Sequence, residues 1–134
     1  MRLVALTGLS RESLGELAKR HIRTFEFHSA NNVLAFQNIS VGDTIFLSEV
    51  SPADLTPGLC GSIAVVKGFD TRMQHVYYST SVQHEEMDTM SARAQMGYIS
   101  IGKIKSVEQA GLYEPVYVDV IETVARSDAS TAWS

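Results

Sequence analysis

The sequence predicts an α+β domain in which an N-terminal helix precedes about six short strands forming a small barrel or two-layer sheet. Three observations predict it. Leu14, Leu17 and Ala18 recur at i, i+3 and i+4 near the N-terminus, the spacing of one helical face. From Ile22 onward β-branched and aromatic residues alternate with polar ones, as in half-buried strands. Gly, Pro, Asn and Asp punctuate these runs at short intervals, which suits strands joined by turns.

The elements follow in order. "RLVAL" at 2–6 reads as a strand, and the "TGLS" turn after it offers Ser10 as the N-cap of a helix through Arg20. His21 lies one turn beyond Leu17 and extends the apolar stripe; Gly15 weakens the helix by about 1 kcal/mol relative to Ala. "IRTFEF", "TIFLSEV", "SIAVVKGF", "MQHVYYST", "YISIGKIKSV" and "PVYVDVIETV" each read as strands. "SVGD" at 40–43 and "LTPGLCG" at 55–61 read as turns, where Gly supplies positive φ and Pro57 presets its own. Residues 84–96, "HEEMDTMSARAQM", carry both periods; a polar loop or single helical turn at 84–89 followed by a strand is the expectation. The small, polar end of the chain reads as a flexible tail over 127–134, with Trp133 as its one anchoring side chain, and 1–126 as a single domain.

Size and composition bound the function. A chain of 134 residues fits the usual single-core domain of about 100–150 residues. Its single cysteine, Cys60, cannot form an internal disulfide; it reads as a buried, inert thiol. No charged leader with an apolar core precedes the first helix, so a reducing cytoplasm is the expected compartment. No apolar run approaches the roughly 20 residues that span a bilayer, and no membrane role is expected. The net charge of −4 argues against indiscriminate polyanion binding. Arg2, Arg11, Lys19, Arg20 and Arg23 stand against Glu12 and Glu16 within residues 1–23, however, giving that stretch a net +3 on an acidic body.

Motifs for chemistry are sparse. His21, His28, His75, His84 and Cys60 form no CxxC, HxH or HExxH arrangement, so no metal or other cofactor is expected. There is no GxSxG elbow, and "GLCG" lacks the residues of a phosphate loop. The informative stretch is "HIRTFEFHSANNV" at 21–33. With period 2, Ile22, Thr24, Glu26 and His28 share one face, and Arg23, Phe25 and Phe27 the other. Phe25 and Phe27 belong in the core. Glu26 and His28 then project together as acceptor and donor, able to read a base edge or to face water. Asn31 and Asn32 read as turn formers. Tyr77 and Tyr78 read as core rings or as stacking platforms.

The order helix, "RTFEF", "VGDTIFL", "GLCGSIAVV" resembles the PUA-like β-barrel superfamily, in particular its ASCH branch with a GxKxxExR-type strand, a "GD" turn and a G-x-x-G approach. On that pattern His21 takes the Gly place, Arg23 the basic place, Glu26 the acidic place and His28 the final Arg place. "ALTGLSRESLGEL", "HIRTFEFHSANNV", "DLTPGLCGSIAVV", "MSARAQM" and "GKIKSVE" resemble, end to end, an archaeal domain of unknown function, family 473, found mostly in methanogens. The first resemblance implies a small PUA-like β-barrel of about six strands with an N-terminal helix. It also implies binding of RNA or a nucleotide-like ligand in a cleft between helix and barrel. Arg23, Glu26 and His28 would lie near that cleft, Lys19 and Arg20 at the helix end would meet phosphate, and Glu26, His28 and Asn31 would select a base. Some ASCH-type proteins are amidohydrolases of acylated cytidines that use Lys, Thr and Glu. Thr24 and Glu26 are present here, but Arg23 stays protonated and cannot replace the lysine as a base. The expectation is therefore binding without catalysis, with a ligand-free interaction or structural module, or an amidohydrolase of a modified nucleoside, as the alternatives. An exposed edge at "RTFEF" or "MQHVYYST" would allow a homodimer by strand pairing.

Overall fold

The computed structural model describes residues 1–79, 84–109, 111 and 114–123, with backbone alone at 74–79 and 84–89. The elements are β1 (Arg2–Leu6), α1 (Arg11–Arg20), β2 (Ile22–Phe27), α2 (Ala30–Ala35), β3 (Thr44–Leu47), β4 (Cys60–Ser79), β5 (His84–Gln109) and β6 (Val116–Glu122), with single 3-10 turns at Phe36–Asn38 and Pro52–Asp54. The expected α+β class and number of strands are found. The six strands form one mixed sheet in the order β2-β5-β4-β3-β1-β6, with a further pairing between β5 and β6. β1 and β3 run parallel, and the other pairings are antiparallel. The 26-residue β5 makes the extra pairing: Ala92–Gly97 faces β2 and Gly102–Gln109 faces β6, so pairing runs from β5 through β4, β3, β1 and β6 back to β5.

Side-chain alternation divides the core. Val4 and Leu6 of β1 join Ile45, Leu47, Ala64 and Val66 in one cluster, over which Leu17 of α1 and Val33 of α2 close. Leu3 and Ala5 point the other way, into a second cluster with Phe46, Ile63, Ile104, Val118 and Val120. Both sheet faces are therefore apolar where β1, β3 and β4 adjoin, and their continuous hydrophobic sequences reflect it.

Capping sets the length of α1. The Ser10 side chain accepts a bond from the Ser13 amide at 3.0 Å. At the other end His21 turns left-handed (φ 68°), its N–H donating to the Leu17 carbonyl at 2.8 Å, as in the αL cap usually filled by Gly. Leu17 is buried and Leu14 packs on the core, but Ala18 and His21, expected on the same stripe, are exposed. Leaving helical geometry at residue 21 removes His21 from the stripe. Gly42 and Gly58 have φ of 95° and 94°, which accounts for glycine in the two expected turns.

Three expectations are corrected. "SIAVVKGF" and "MQHVYYST" belong to one strand, β4, that runs through Gly68 past a register shift between Val66 and Gly68. Residues 84–89 are strand: pairing continues from Met73↔Met90 to Ser79↔His84, so a cross-strand partner overrides the local preference of a polar run. Asn31 and Asn32 lie within α2, capped by Ser29. The tail at 127–134 and Trp133 lie outside the described residues, as do the side chains of Tyr77 and Tyr78. Among the described residues, no helix is long and apolar enough to cross a membrane.

Candidate functional site

β2 begins the sheet order, with β5 as its partner. Phe25 and Phe27 are 4% and 2% exposed, stacked with ring centroids 6.1 Å apart, and Phe27 meets Phe36 at 5.6 Å. Burying these rings fixes the strand's rotation and leaves Thr24, Glu26 and His28 outward. Register then builds a surface across three strands. Glu26 stands opposite Arg93, Arg93 opposite Asp70, and Arg72 opposite Ser91. With His28 these side chains line a hollow of about 410 Å³. Within it His28 Nε2 lies 3.7 Å from Glu26 Oε1, and Arg72 Nε 3.7 Å from Asp70 Oδ2. All four are exposed, so each pair contributes at most about 1 kcal/mol to stability. Arg93 makes no ion pair among the described residues.

Beyond Phe27 the chain turns at His28 and Ser29 into α2. Glu26 and His28 also border a second concavity of about 360 Å³, whose other walls include Gly8, Asn31, Asn32 and Ser51. Asn32 holds this cleft together. It is buried, its Oδ1 accepts from the Thr7 N–H at 2.9 Å, and its Nδ2 donates to the Thr7 carbonyl at 2.7 Å. One amide side chain thus satisfies both backbone groups of a buried residue just past β1. Asn31, its neighbour on α2, is exposed at the cleft.

Of the six residues expected at a site, Glu26, His28 and Asn31 converge on this cleft. Lys19 and Arg20 are exposed in the last turn of α1, where their charge complements the negative end of the helix dipole. Arg23 is turned away from Glu26 by strand alternation. Its guanidinium pairs with Glu16 and donates to Ser13 Oγ at 3.3 Å, tying β2 to α1, and lies 5.6 Å from the Phe25 ring centre. Sequence reading did not single out Asn32 as a bridging residue, nor Asp70, Arg72 and Arg93. Each enters through contacts distant in sequence. The one local sign was the alternation of polar Ser91 and Arg93 with Ala92 and Ala94.

Outside the cleft and the hollow, Arg11 lowers the Glu49 carboxyl through hydrogen bonding and charge, and a hydrogen bond from the chain's amino terminus lowers Asp119. Burial raises the Tyr98 hydroxyl. Among the described residues, no three His, Cys, Asp or Glu side chains gather as metal ligands. Cys60, expected to be buried, is exposed at the start of β4 opposite Lys103. Strand alternation turns it outward while Gly61 packs against Phe46.

With this geometry in place, comparison with known proteins assigns the family. Residues 1–118 match the family described as "Protein of unknown function (DUF473)". The chain belongs to this family. An uncharacterized protein of the archaeon Methanocaldococcus jannaschii is similar to it, 22% identical over 120 residues that make up 90% of this chain and 72% of that protein. No solved structure matches the chain. The end-to-end resemblance to family 473 seen in the sequence is thus shown, and the matched span contains every residue named in the cleft and the hollow.

Proposed function

We propose that this DUF473 chain is a non-catalytic binding domain of the PUA-like β-barrel class, and that the cleft at Glu26, His28 and Asn31 takes RNA or a nucleotide-like ligand. Convergence of these three side chains, from the end of β2 and from α2, on one concavity carries the reading. A carboxylate acceptor, an imidazole and an amide together match the mixed donors and acceptors of a base edge. The return of strand pairing to β5 supports the barrel class. Ligand selection falls to the base more than to phosphate, because Glu26 and Asp70 offset Arg72 and Arg93 in the adjoining hollow and Lys19 and Arg20 do not line the cleft. An unstacked base in a single-stranded or looped RNA, or a free nucleotide, suits this arrangement; a duplex backbone does not. Catalysis is disfavoured because Arg23, in the place that the resemblance gives to a basic residue, pairs with Glu16 on the face of β2 opposite Glu26. A lone cysteine suits a reducing cytoplasm.

Fluorescence anisotropy with labelled single-stranded RNA of mixed sequence, competed by free mononucleotides, tests this. Glu26→Gln and His28→Ala should each weaken binding by about tenfold, the scale of one polar base contact, while the Lys19→Ala/Arg20→Ala pair should weaken it little. No binding by the wild-type protein, or loss confined to the Lys19/Arg20 pair, would defeat the reading.

A further inference from the structure

β4 has no partner on one side beyond Val66 among the described residues. There β3 pairs with Ser62–Val65, and Val66 exchanges backbone hydrogen bonds with Gly42 and Asp43 at 2.8 and 2.9 Å. From that point β5 alone pairs with β4. Asp70, Thr71, Arg72 and Met73 are exposed in succession, so both faces of the strand are open as well as its edge. Met73 is 70% exposed, beside a groove of about 290 Å³ that Leu34, Phe36, Phe69, Arg72 and Met90 help to line. Free edges are normally guarded by Lys, Pro or a bulge. Residues 68–79 contain neither Lys nor Pro, and the bulge falls before them.

We propose that this edge pairs with the same edge of a second copy, antiparallel about a two-fold axis at Thr71. Such an axis sets Asp70 opposite the partner's Arg72 and Phe69 opposite the partner's Met73, each contact occurring twice. Directly opposed residues of antiparallel strands share a face. The charged pairs fall on the face of the Glu26 hollow, to which Asp70 and Arg72 already belong, and the apolar pairs fall beside the groove. This self-complementarity favours a second copy over a foreign strand, since an isologous interface needs one patch that matches itself. The Arg72–Asp70 contact within one chain, 3.7 Å and exposed, costs little to exchange for the contact across the axis. In the dimer the sheet continues across the axis, and the two Glu26 hollows open on the same side.

Sedimentation velocity of the full chain over a concentration series into the millimolar range tests the pairing. A species of twice the 14.7 kDa chain mass should accumulate. Arg72→Asp sets Asp opposite Asp at both contacts and should weaken dimerisation at least about tenfold, the order of two lost exposed charged pairs. The swap Asp70→Arg with Arg72→Asp restores opposite charges and should restore the dimer. Far-UV circular dichroism checks that each variant is folded, and hydrogen exchange on the wild type supplies a readout free of mutation: amides at 69–73 should gain protection as concentration rises. A monomer at every concentration, a dimer indifferent to Arg72→Asp, a swap that does not recover association, or protection at 69–73 independent of concentration would each overturn the proposal.

Discussion

Replacing Asn32 with alanine removes two hydrogen bonds and strands both backbone groups of Thr7, which is itself buried. Each unsatisfied buried group costs about 1–3 kcal/mol. Because Asn32 borders the cleft, water entering there can satisfy part of the loss, which puts the expected destabilisation at about 2–4 kcal/mol. With a urea m-value near 2 kcal/mol per molar, the midpoint should fall by roughly 1–2 M at unchanged slope. Asn32→Asp separates the two bonds. Its carboxylate still accepts from the Thr7 N–H, but when ionised it cannot donate to the Thr7 carbonyl, and it buries a charge. This variant should therefore be at least as unstable as Asn32→Ala at neutral pH. Burial raises the folded-state carboxyl above its unfolded value, so the folded form takes up the proton first. Its deficit against the wild type should shrink as pH falls through the raised value and return as pH rises. An Asn32→Ala midpoint corresponding to less than about 0.5 kcal/mol of destabilisation, the range of ordinary surface changes, would refute the claim that this amide ties β1 to α2.

Other substitutions probe single contacts. A Cβ at Gly61 would lie 2.6 Å from the Leu47 carbonyl oxygen and overlap the Cζ edge of the Phe46 ring, so Gly61→Ala should cost at least about 2 kcal/mol in urea unfolding. Gly15 is exposed in α1, where an added Cβ would meet nothing within 4 Å, and Gly15→Ala should stabilise by about 1 kcal/mol in the same assay. Arg11 holds the Glu49 carboxyl low, so the pair contributes stability above the unfolded carboxyl value and loses it as pH falls through the folded one. Arg11→Ala should move the Glu49 titration, followed by carboxyl-carbon NMR, back up toward the ordinary range. No movement would mean the pair does not form in solution.

The parts legible in the sequence are those whose determinants are local. Ser10 and the Leu14/Leu17 spacing define α1 because a cap and an apolar stripe act within a few residues. Strand β2 is legible because Phe25 and Phe27 alternate with Thr24 and Glu26, so burying one face fixes the other. α2 escaped because Asn31 and Asn32 have turn-forming chemistry, and what holds Asn32 in a six-residue helix is Thr7, 25 positions away. Residues 84–89 escaped because a polar run becomes strand when β4 supplies a pairing partner. Within the site, Glu26 and His28 were visible from alternation alone. Arg93 and Asp70 join them only through the register of three strands, and Arg23 lies close to Glu26 in the chain's motif yet on the other face of the sheet.

Binding at the Glu26 cleft is tested most directly by following amide chemical shifts of the isotope-labelled protein during titration with nucleoside monophosphates and with a short single-stranded RNA. Saturable shifts concentrated at residues 7–9, 26–32 and 51, with the midpoint moved to about tenfold higher ligand concentration in Glu26→Gln, are the predicted result. Shifts that cluster at Lys19 and Arg20 and vanish as salt is raised, or no shifts with any of these ligands, would contradict the account.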